Sequence, residues 1–343
     1  MGVFVSTFSS LFADRLTVVV LLLAAFLLAM VARFARRYLQ GDAGQARFMR
    51  WLWVTGASVL ALVVAPNLWV FAAAWCATSL GLHQLLQFYR DRPGAVLAAR
   101  KKFLISRAGD GALLGALFLL YRQFGTLDFR ALESGAKGLA GADVPPGVIW
   151  AGVLAALAAM LKSAQFPFHT WLPDTMETPT PVSALMHAGI INAGGILLLR
   201  LQPVVVLSEP AMTMLTVVGG FTALFAATVM LTQASVKRRL AFSTVGQMGF
   251  MMLECGLGAF HLALVHLVAH SLYKAFAFLS AGSAVEGAGD AEWARPKRWV
   301  VSAGLLAAIG LTLAASSAVG VSPLEQPVLT GIFTLAQIGR AHV

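Results

Sequence analysis

The chain has 343 residues, of which 59% are hydrophobic and 12% are charged, and its mean hydropathy is +0.79. This charged fraction is about half that of an average soluble domain, which excludes a soluble globular protein. The formal net charge of +10 does not indicate a nucleic-acid-binding surface, because the lysines and arginines lie between apolar segments. We expect an all-α, polytopic membrane protein that contacts the lipid bilayer and no nucleic acid.

Apolar segments of about 20 residues, each long enough to cross roughly 30 Å of hydrocarbon, recur along the chain. Pro66 and Asn67 separate two of them with a tight turn, so these two segments cannot form one long helix. The pattern predicts about ten transmembrane helices, at 16–34, 51–66, 68–89, 103–124, 148–166, 181–201, 211–233, 240–258, 260–282 and 299–321.

Four of the intervening loops are rich in lysine and arginine. Loops of this kind stay in the cytoplasm, so the N-terminus and the Gly-rich loop 125–147 should lie outside. We therefore expect a multi-pass protein of the bacterial inner membrane. The basic residues are Arg33, Arg36, Arg37, Arg47 and Arg50, then Arg90, Arg92, Arg100, Lys101 and Lys102, then Lys237, Arg238 and Arg239, and finally Arg295, Lys297 and Arg298.

The two cysteines, Cys76 and Cys255, lie inside apolar segments and form no CxxC or Cys/His motif. Neither a disulfide framework nor an iron–sulfur cluster is indicated. We expect no cofactor in this chain and no catalytic chemistry of its own.

The helix at 260–282 carries an internal stripe of ionisable residues. His266, His270 and Lys274 are spaced four residues apart, which places them on one helical face. A single histidine there would be interpreted as a packing residue, but three such groups in register favour an ion or proton route through the membrane. The i, i+4 histidines also have the spacing of zinc ligands, although the residues between them include no glutamate for a metalloprotease motif.

The segment Met160–Gly189 combines Lys162, His187 and four prolines between two apolar runs. The prolines remove backbone donors and disfavour helical geometry before them, so the chain should break near 163–181, at membrane depth or beside it. Broken helices mark the binding sites of transporters. Spacing alone leaves two interpretations of Lys162 open: a side chain that snorkels to the cytoplasmic interface, or a member of a Lys/His relay.

Other charged residues near these segments have simpler interpretations. Asp174 and Glu177 could act as acceptors near the mouth of the break. Arg107 and Asp110 should form a local ion pair, which lowers the cost of burying either charge. Lys237 adjoins two arginines, so composition alone assigns it to membrane topology.

The segments KSAQFPFHTWLPD and PTPVSALMHAGIINAGG resemble the central motif of the antiporter-like subunits of respiratory complex I and of Mrp-type cation/proton antiporters. The similarity continues through VKRRLAFSTVGQMGFMML and HLVAHSLYKAFAFLSAGS, and covers most of the chain from Leu16 to Val321. It implies an antiporter-like helix bundle of the kind seen in NADH–quinone oxidoreductase subunit L. It also implies a proton path along the middle of the membrane, formed by Lys162, His187, Lys237, His266, His270 and Lys274.

One position departs from the complex I pattern. There, a glutamate follows the tryptophan in the helix that matches 68–89, whereas this chain has Cys76, so the usual acidic partner of Lys162 is missing. The segment WCATSLGLHQLLQFYRDRPGAVLAARKKFLISRAGD is instead similar to the membrane subunits of DAB-type inorganic carbon pumps. His83 lies seven residues after Cys76 on the same helical face and is a candidate substitute relay group.

In DAB-type pumps the membrane subunit works with a large, zinc-containing, carbonic-anhydrase-like partner (DabA-like), and ion flow drives one-way hydration of CO₂ to bicarbonate. The resemblance implies a proton- or cation-conducting subunit of such a complex, with the zinc in the partner. One alternative is an L-type subunit of an NADH–quinone oxidoreductase or Mrp antiporter, assembled with other respiratory complex subunits. Another is a structural scaffold whose lysines and histidines satisfy one another.

The likeness also bears on domain organisation. We predict one antiporter-like transmembrane domain at 1–337 that lacks helices of the superfamily at both ends, including a further broken helix beyond 321. Residues 338–343 match one translated frame of a common sequencing adapter, and we interpret them as an artefact.

Overall fold

The computed structural model describes residues 15–286, and this part of the chain is all helical apart from turns and one isolated bridge between Asn67 and Asp128. The all-α prediction is confirmed. The helices are α1 (Arg15–Tyr38), α2 (Gln45–Val63), α3 (Leu68–Leu86), α4 (Pro93–Phe124), α5 (Phe129–Gly138), α6 (Pro146–Lys162), α7 (Trp171–Asp174), α8 (Thr180–Ala188), α9 (Ala193–Arg200), α10 (Gln202–Val205), α11 (Glu209–Leu231), α12 (Val236–Gly256) and α13 (Phe260–Glu286).

Five segments of the described chain are long and apolar enough to cross a membrane. They are Leu16–Tyr38, Pro93–Phe124, Thr180–Arg200, Glu209–Leu231 and Phe260–Ala281. Helices α2, α3, α6 and α12 also match predicted spans but are shorter or more polar. The predicted helix at 299–321 and the basic residues beyond 286 lie outside the described residues.

Three boundaries differ from the prediction. Helix α4 starts at Pro93, ten residues before the predicted 103, because Pro93 is pre-organised for the first helical turn and the segment that follows is rich in alanine. The expected loop 125–147 contains the helix α5, whose first turn is capped by the Asp128 carboxylate accepting from the amides of Arg130 and Ala131. The third difference is a break inside the predicted helix at 181–201.

The proline-rich segment between α6 and α8 breaks the helix, as predicted. Short turns replace regular helix there, Ala164 has a positive φ of 51°, and the peptide bond before Pro167 is cis. The backbone amide of Phe166 donates to the Thr222 hydroxyl of α11 over 3.1 Å, so a neighbouring helix satisfies a donor that the break leaves free.

The second break separates α8 from α9 at Gly189. Residues Ile190–Asn192 form a single tight turn, and the Asn192 side-chain amide donates to the Ala188 carbonyl over 2.9 Å. A side chain thus satisfies a carbonyl that a continuous helix would have used itself.

Two glycines bring α11 and α12 into close contact. A Cβ at Gly219 would lie 2.8 Å from the Gly249 carbonyl oxygen, and a Cβ at Gly249 would lie 2.8 Å from the Gly219 carbonyl oxygen. Small residues of this kind allow the backbones of membrane helices to approach. The contact fixes α12, which supplies partners to the histidines of α13.

Candidate ion path

Lys162 lies at the C-terminal end of α6 and is only 6% exposed. Its amine donates to the Trp75 carbonyl over 3.3 Å and to the Ser79 hydroxyl over 3.4 Å, and it lies 4.3 Å from the centroid of the Trp75 ring. A snorkelling side chain would extend toward water, whereas this one is buried against α3. The structure favours the interpretation of Lys162 as an internal polar group.

A second lysine occupies the same site. Lys102 on α4 is 3% exposed, and its amine donates to the Ser79 carbonyl over 2.8 Å and to the Ser79 hydroxyl over 3.1 Å. The sequence pattern assigned Lys102 to a basic cytoplasmic loop, which is wrong because α4 begins at Pro93 and carries this residue inward.

An acidic group lies behind the Trp75 ring. The indole Nε1 donates to Asp110 Oδ1 over 2.9 Å, and Arg107 lies 2.6 Å from Asp110 Oδ2. The predicted Arg107–Asp110 ion pair is confirmed. We call Trp75, Ser79, Lys102, Asp110 and Lys162 the lysine cluster; it joins α3, α4 and α6.

His266 begins the polar stripe of α13 and has a carboxylate partner. Its Nδ1 lies 2.9 Å from Glu254 Oε2, and its Nε2 lies 2.9 Å from Gln247 Oε1. Glu254 is 2% exposed, so the pair is fully enclosed. Each ring nitrogen of His266 therefore faces a side-chain oxygen atom.

The next histidines connect α13 to α8 and α12. His270 Nε2 donates to the His187 carbonyl over 3.2 Å. The His187 ring stacks on Phe278 at 4.4 Å, and its Nδ1 lies 3.0 Å from the Thr244 hydroxyl. That hydroxyl donates its proton to the Leu240 carbonyl over 3.0 Å, so His187 Nδ1 is the donor to Thr244.

Lys274 completes the stripe and is fully buried. Its amine donates to the Leu240 carbonyl over 3.0 Å, so Lys274 and Thr244 converge on one backbone oxygen. We call the group that joins α8, α12 and α13 the histidine cluster; its members are His187, Leu240, Thr244, Gln247, Glu254, His266, His270 and Lys274.

The second helix break lies between the two clusters. Ser163, next to Lys162, donates to the Ile191 carbonyl over 3.0 Å. Asn192 donates to the Ser271 hydroxyl over 2.8 Å, and Ser271 follows His270 on α13. Polar groups of the Ile190–Asn192 turn thus connect the end of α6 to the stripe of α13.

Several predicted site residues lie outside these clusters. Lys237 is half-buried in the first turn of α12, and no hydrogen bond joins it to either cluster within residues 15–286. The half-buried His83 ring lies 5.0 Å from the Phe103 ring centroid. Asp174 and Glu177 are exposed, and Asp174 pairs with Lys101 at 2.9 Å. Their proposed roles remain predictions.

Cys76 adjoins Trp75 and is half-buried. The ion pairs of the described part of the chain do not include Lys162, whose partners are a carbonyl, a hydroxyl and an aromatic ring. Asp110 accepts a hydrogen bond from the indole of Trp75, whose ring also lies beside the Lys162 amine. His266 and His270 have separate partners, and residues 15–286 contain no cluster of three or more His, Cys, Asp or Glu able to hold a metal ion.

Sequence reasoning missed Glu254, Gln247, Thr244 and Ser79, and it assigned Lys102 to a loop. A signal for Glu254 was present, since a lone carboxylate inside an apolar helix is rare without a function. The neutral partners carry no such signal, because serine, threonine and glutamine occur in many membrane helices without an ionisable neighbour.

Residues 65–331 match the family described as "NADH:quinone oxidoreductase/Mrp antiporter, TM". The chain is 44% identical over 97% of its length to the probable inorganic carbon transporter subunit DabB2 of Halothiobacillus neapolitanus, and 47% identical over 80% to the probable DabB of Hydrogenovibrio crunogenus. It is also 37% identical over 80% to NAD(P)H-quinone oxidoreductase chain 5 of Synechocystis. These alignments cover 61%, 52% and 41% of the three relatives, so the chain spans about half their length.

Two solved complexes contain similar folds. A chain of the Mrp complex from Dietzia aligns with a TM-score of 0.79 and 27% identity, covering 96% of this chain and 39% of that one. A chain of the archaeal membrane-bound sulfane sulfur reductase aligns with a TM-score of 0.71 and 18% identity, covering 95% of this chain and 57% of that one, which shows the fold alone. The relatives are subunits of membrane complexes. The chain belongs to the transmembrane family of NADH:quinone oxidoreductase and Mrp antiporter subunits.

Proposed function

We propose that this chain is part of a proton- or cation-conducting subunit that energises the accumulation of inorganic carbon across the bacterial inner membrane. The observation that carries the proposal is the set of buried lysines and histidines linked by hydrogen bonds in the two clusters. Ionisable groups are costly inside a membrane and normally line ion or proton routes. The carbon substrate is supported by the relatives named as inorganic carbon transporter subunits.

The lysine cluster supports a carbon pump over a redox complex at one position. Cys76 occupies the site at which the resemblance to complex I implies a glutamate next to Lys162. A carboxylate there would stabilise the ammonium form of the lysine. Without it, the hydrogen-bond partners of the Lys162 amine are the Trp75 carbonyl and the Ser79 hydroxyl, and neither is a carboxylate.

A partner subunit would catalyse the hydration of CO₂. By resemblance to DAB-type pumps, that partner is a large, carbonic-anhydrase-like subunit (DabA-like) that binds zinc. Proton or cation flow through this chain would then drive one-way formation of bicarbonate. The chain itself would hold and move ions and would bind no metal.

Growth under carbon limitation tests this proposal. The full-length gene, expressed with its genomic neighbour, should rescue a strain that lacks carbonic anhydrase at ambient CO₂. Lys162→Ala and Lys274→Ala should each abolish rescue, whereas Lys137→Ala, at an exposed lysine of α5, should retain it. Failure of the unsubstituted pair to rescue, with both proteins in the membrane, would overturn the carbon-pump proposal.

A second candidate is an antiporter-like subunit of a quinone-reducing complex, favoured by the 37% identity to NAD(P)H-quinone oxidoreductase chain 5. Purification of the full-length protein from its native membrane separates the two. A large zinc-containing subunit should co-purify if the chain belongs to a carbon pump. Iron–sulfur subunits in its place would support the quinone-reducing complex.

A further inference from the structure

Lys102 is a buried cation that the resemblance does not assign to the proton path. Within residues 15–286 its amine meets only the carbonyl and hydroxyl of Ser79, and the ion pairs of this region do not include it. A lysine that serves only membrane topology would extend its amine into water. Lys102 instead directs its amine into the bundle at an energetic cost, which indicates a use for the group.

Ser79 is the contact between the two buried lysines. Its hydroxyl lies 3.1 Å from the Lys102 amine and 3.4 Å from the Lys162 amine. A hydroxyl can accept a proton at its oxygen while it releases its own, whereas the Ser79 carbonyl can only accept. The hydroxyl therefore has the chemistry needed to relay a proton between the amines.

We infer that Lys102 is the immediate proton-exchange partner of Lys162 and that the Ser79 hydroxyl passes the proton between them. In the forward step the Lys102 ammonium gives a proton to Ser79 Oγ, and the proton already on Ser79 moves to the neutral Lys162 amine. Lys102 becomes neutral, Lys162 becomes charged, and the serine is restored when its hydroxyl rotates. The reverse step returns the proton. This inference rests on the proposed conduction of protons.

The direction of the helices places Lys102 on the basic-loop side of Lys162. Helix α4 enters the bundle from the loop at 87–92, and the neighbouring Lys101 pairs with the exposed Asp174 at 2.9 Å. Helix α3 runs toward the same loop, so Ser79 lies one turn nearer to it than Trp75 does. The Lys102–Ser79 pair thus lies between the basic-loop surface and Lys162.

The charged and titratable neighbours of this pair are few. Arg107 and Asp110 lie deeper on α4 and pair with each other, and Cys76 and His83 flank Ser79 on α3. None of them appears among the hydrogen-bond partners of the Lys102 amine. The Ser79 hydroxyl is the hydrogen-bonding group that the two amines share.

The test is proton flux across the membrane of inverted vesicles that contain the full-length complex, followed with a pH-sensitive dye. Lys102→Met and Ser79→Ala should each slow flux at least about tenfold, because the relay supplies general acid–base catalysis. Ser79→Thr, which retains a hydroxyl, should restore most of the rate. Lys102→Arg should fail like Lys102→Met, since arginine keeps the charge but cannot release a proton. Lys137→Met is the matched exposed control.

The outcomes separate this inference from the proposed function. Unaltered flux in Lys102→Met and Ser79→Ala, with flux abolished in Lys162→Ala, would overturn the inference and leave the conduction proposal standing. Normal flux in Lys102→Arg would show that Lys102 acts only as a fixed positive charge, and this would also overturn the inference. The absence of flux in the unsubstituted complex would overturn both. Immunoblotting of the vesicles normalises every rate to the amount of assembled protein.

Discussion

The lysine cluster and the histidine cluster hold buried charge in different ways. In the histidine cluster, Glu254 lies 2.9 Å from His266, so a carboxylate directly faces a titratable ring. In the lysine cluster, Lys102 and Lys162 share the neutral Ser79, and the Asp110 carboxylate accepts from the Trp75 indole. A carboxylate thus contacts the ionisable side chain in one cluster, and a neutral hydroxyl lies between the ionisable side chains in the other.

From this difference we expect the two clusters to have different roles along the proposed path. Glu254 is an enclosed carboxylate at His266 Nδ1, and removing it would leave His266 without a carboxylate neighbour. The hydrogen-bond partners of the two lysine amines are carbonyls and the Ser79 hydroxyl, and the Lys162 amine also lies over the Trp75 ring. Hydrogen bonds of the Ile190–Asn192 turn connect the two clusters.

The largest effect should come from breaking the carboxylate pair. Glu254→Ala should lower the free energy of unfolding by about 3 to 5 kcal/mol, because it leaves His266 without its buried counter-charge. Thermal denaturation of the purified full-length protein measures this loss. Glu254→Gln, which keeps the hydrogen bond without the charge, is the matched variant and should cost less. A loss below about 1 kcal/mol in Glu254→Ala would contradict the ion pair.

A carboxylate introduced next to Lys162 should give this lysine the kind of charged neighbour that His266 has in Glu254. Cys76→Glu places a negative charge near Lys162, which stabilises the ammonium form and slows proton release by roughly tenfold to a hundredfold. Proton flux in vesicles that contain the full-length complex measures the rate, and Cys76→Gln controls for side-chain size. Equal flux in the two variants would show that charge at this position does not govern exchange.

A smaller effect is expected from detaching Asp110. Trp75→Phe keeps an aromatic ring beside the Lys162 amine but removes the indole donor to Asp110. We expect a loss of about 1 kcal/mol in the free energy of unfolding, since Arg107 continues to pair with the carboxylate. Chemical denaturation of the purified protein provides the measurement, and no loss would mean that the indole bond contributes nothing.

The smallest effect should come from an exposed ion pair outside both clusters. Glu133 and Lys137 lie four residues apart on α5 at 2.6 Å, and both are largely exposed. Glu133→Ala should change the free energy of unfolding by less than about 0.5 kcal/mol and leave flux unchanged. A larger loss in the same denaturation assay would show that effects assigned to the clusters are not specific to buried charge.

Much of the fold follows from local patterns in the sequence. Apolar length locates the helices, Pro66 separates α2 from α3, and the prolines after Lys162 break the chain where expected. The break at Gly189 did not follow from apolar length, because it depends on side-chain hydrogen bonds such as that from the Asn192 amide to the Ala188 carbonyl. The helix start at Pro93 has a local signal, a proline followed by alanines, which apolar length does not detect.

The sequence predicted only some of the residues that form the two clusters. The spacing of His266, His270 and Lys274 identifies one face of α13, and the structure buries all three. Their partners could not be predicted, since Glu254, Gln247 and Thr244 come from another helix and no spacing rule relates them to α13. The burial of Lys102 could not be predicted for a different reason. Within a run of basic residues, the sequence does not distinguish a buried lysine from an exposed one.

We expect Lys162 and Lys274 to act in series on one proton path. Proton flux in inverted vesicles that contain the full-length complex tests it most directly, with Lys162→Met and Lys274→Met measured singly and together and normalised to assembled protein. Each single variant should abolish flux, and the double variant should be no slower. Substantial flux in either single variant, lost only in the double variant, would indicate two parallel routes and contradict the account.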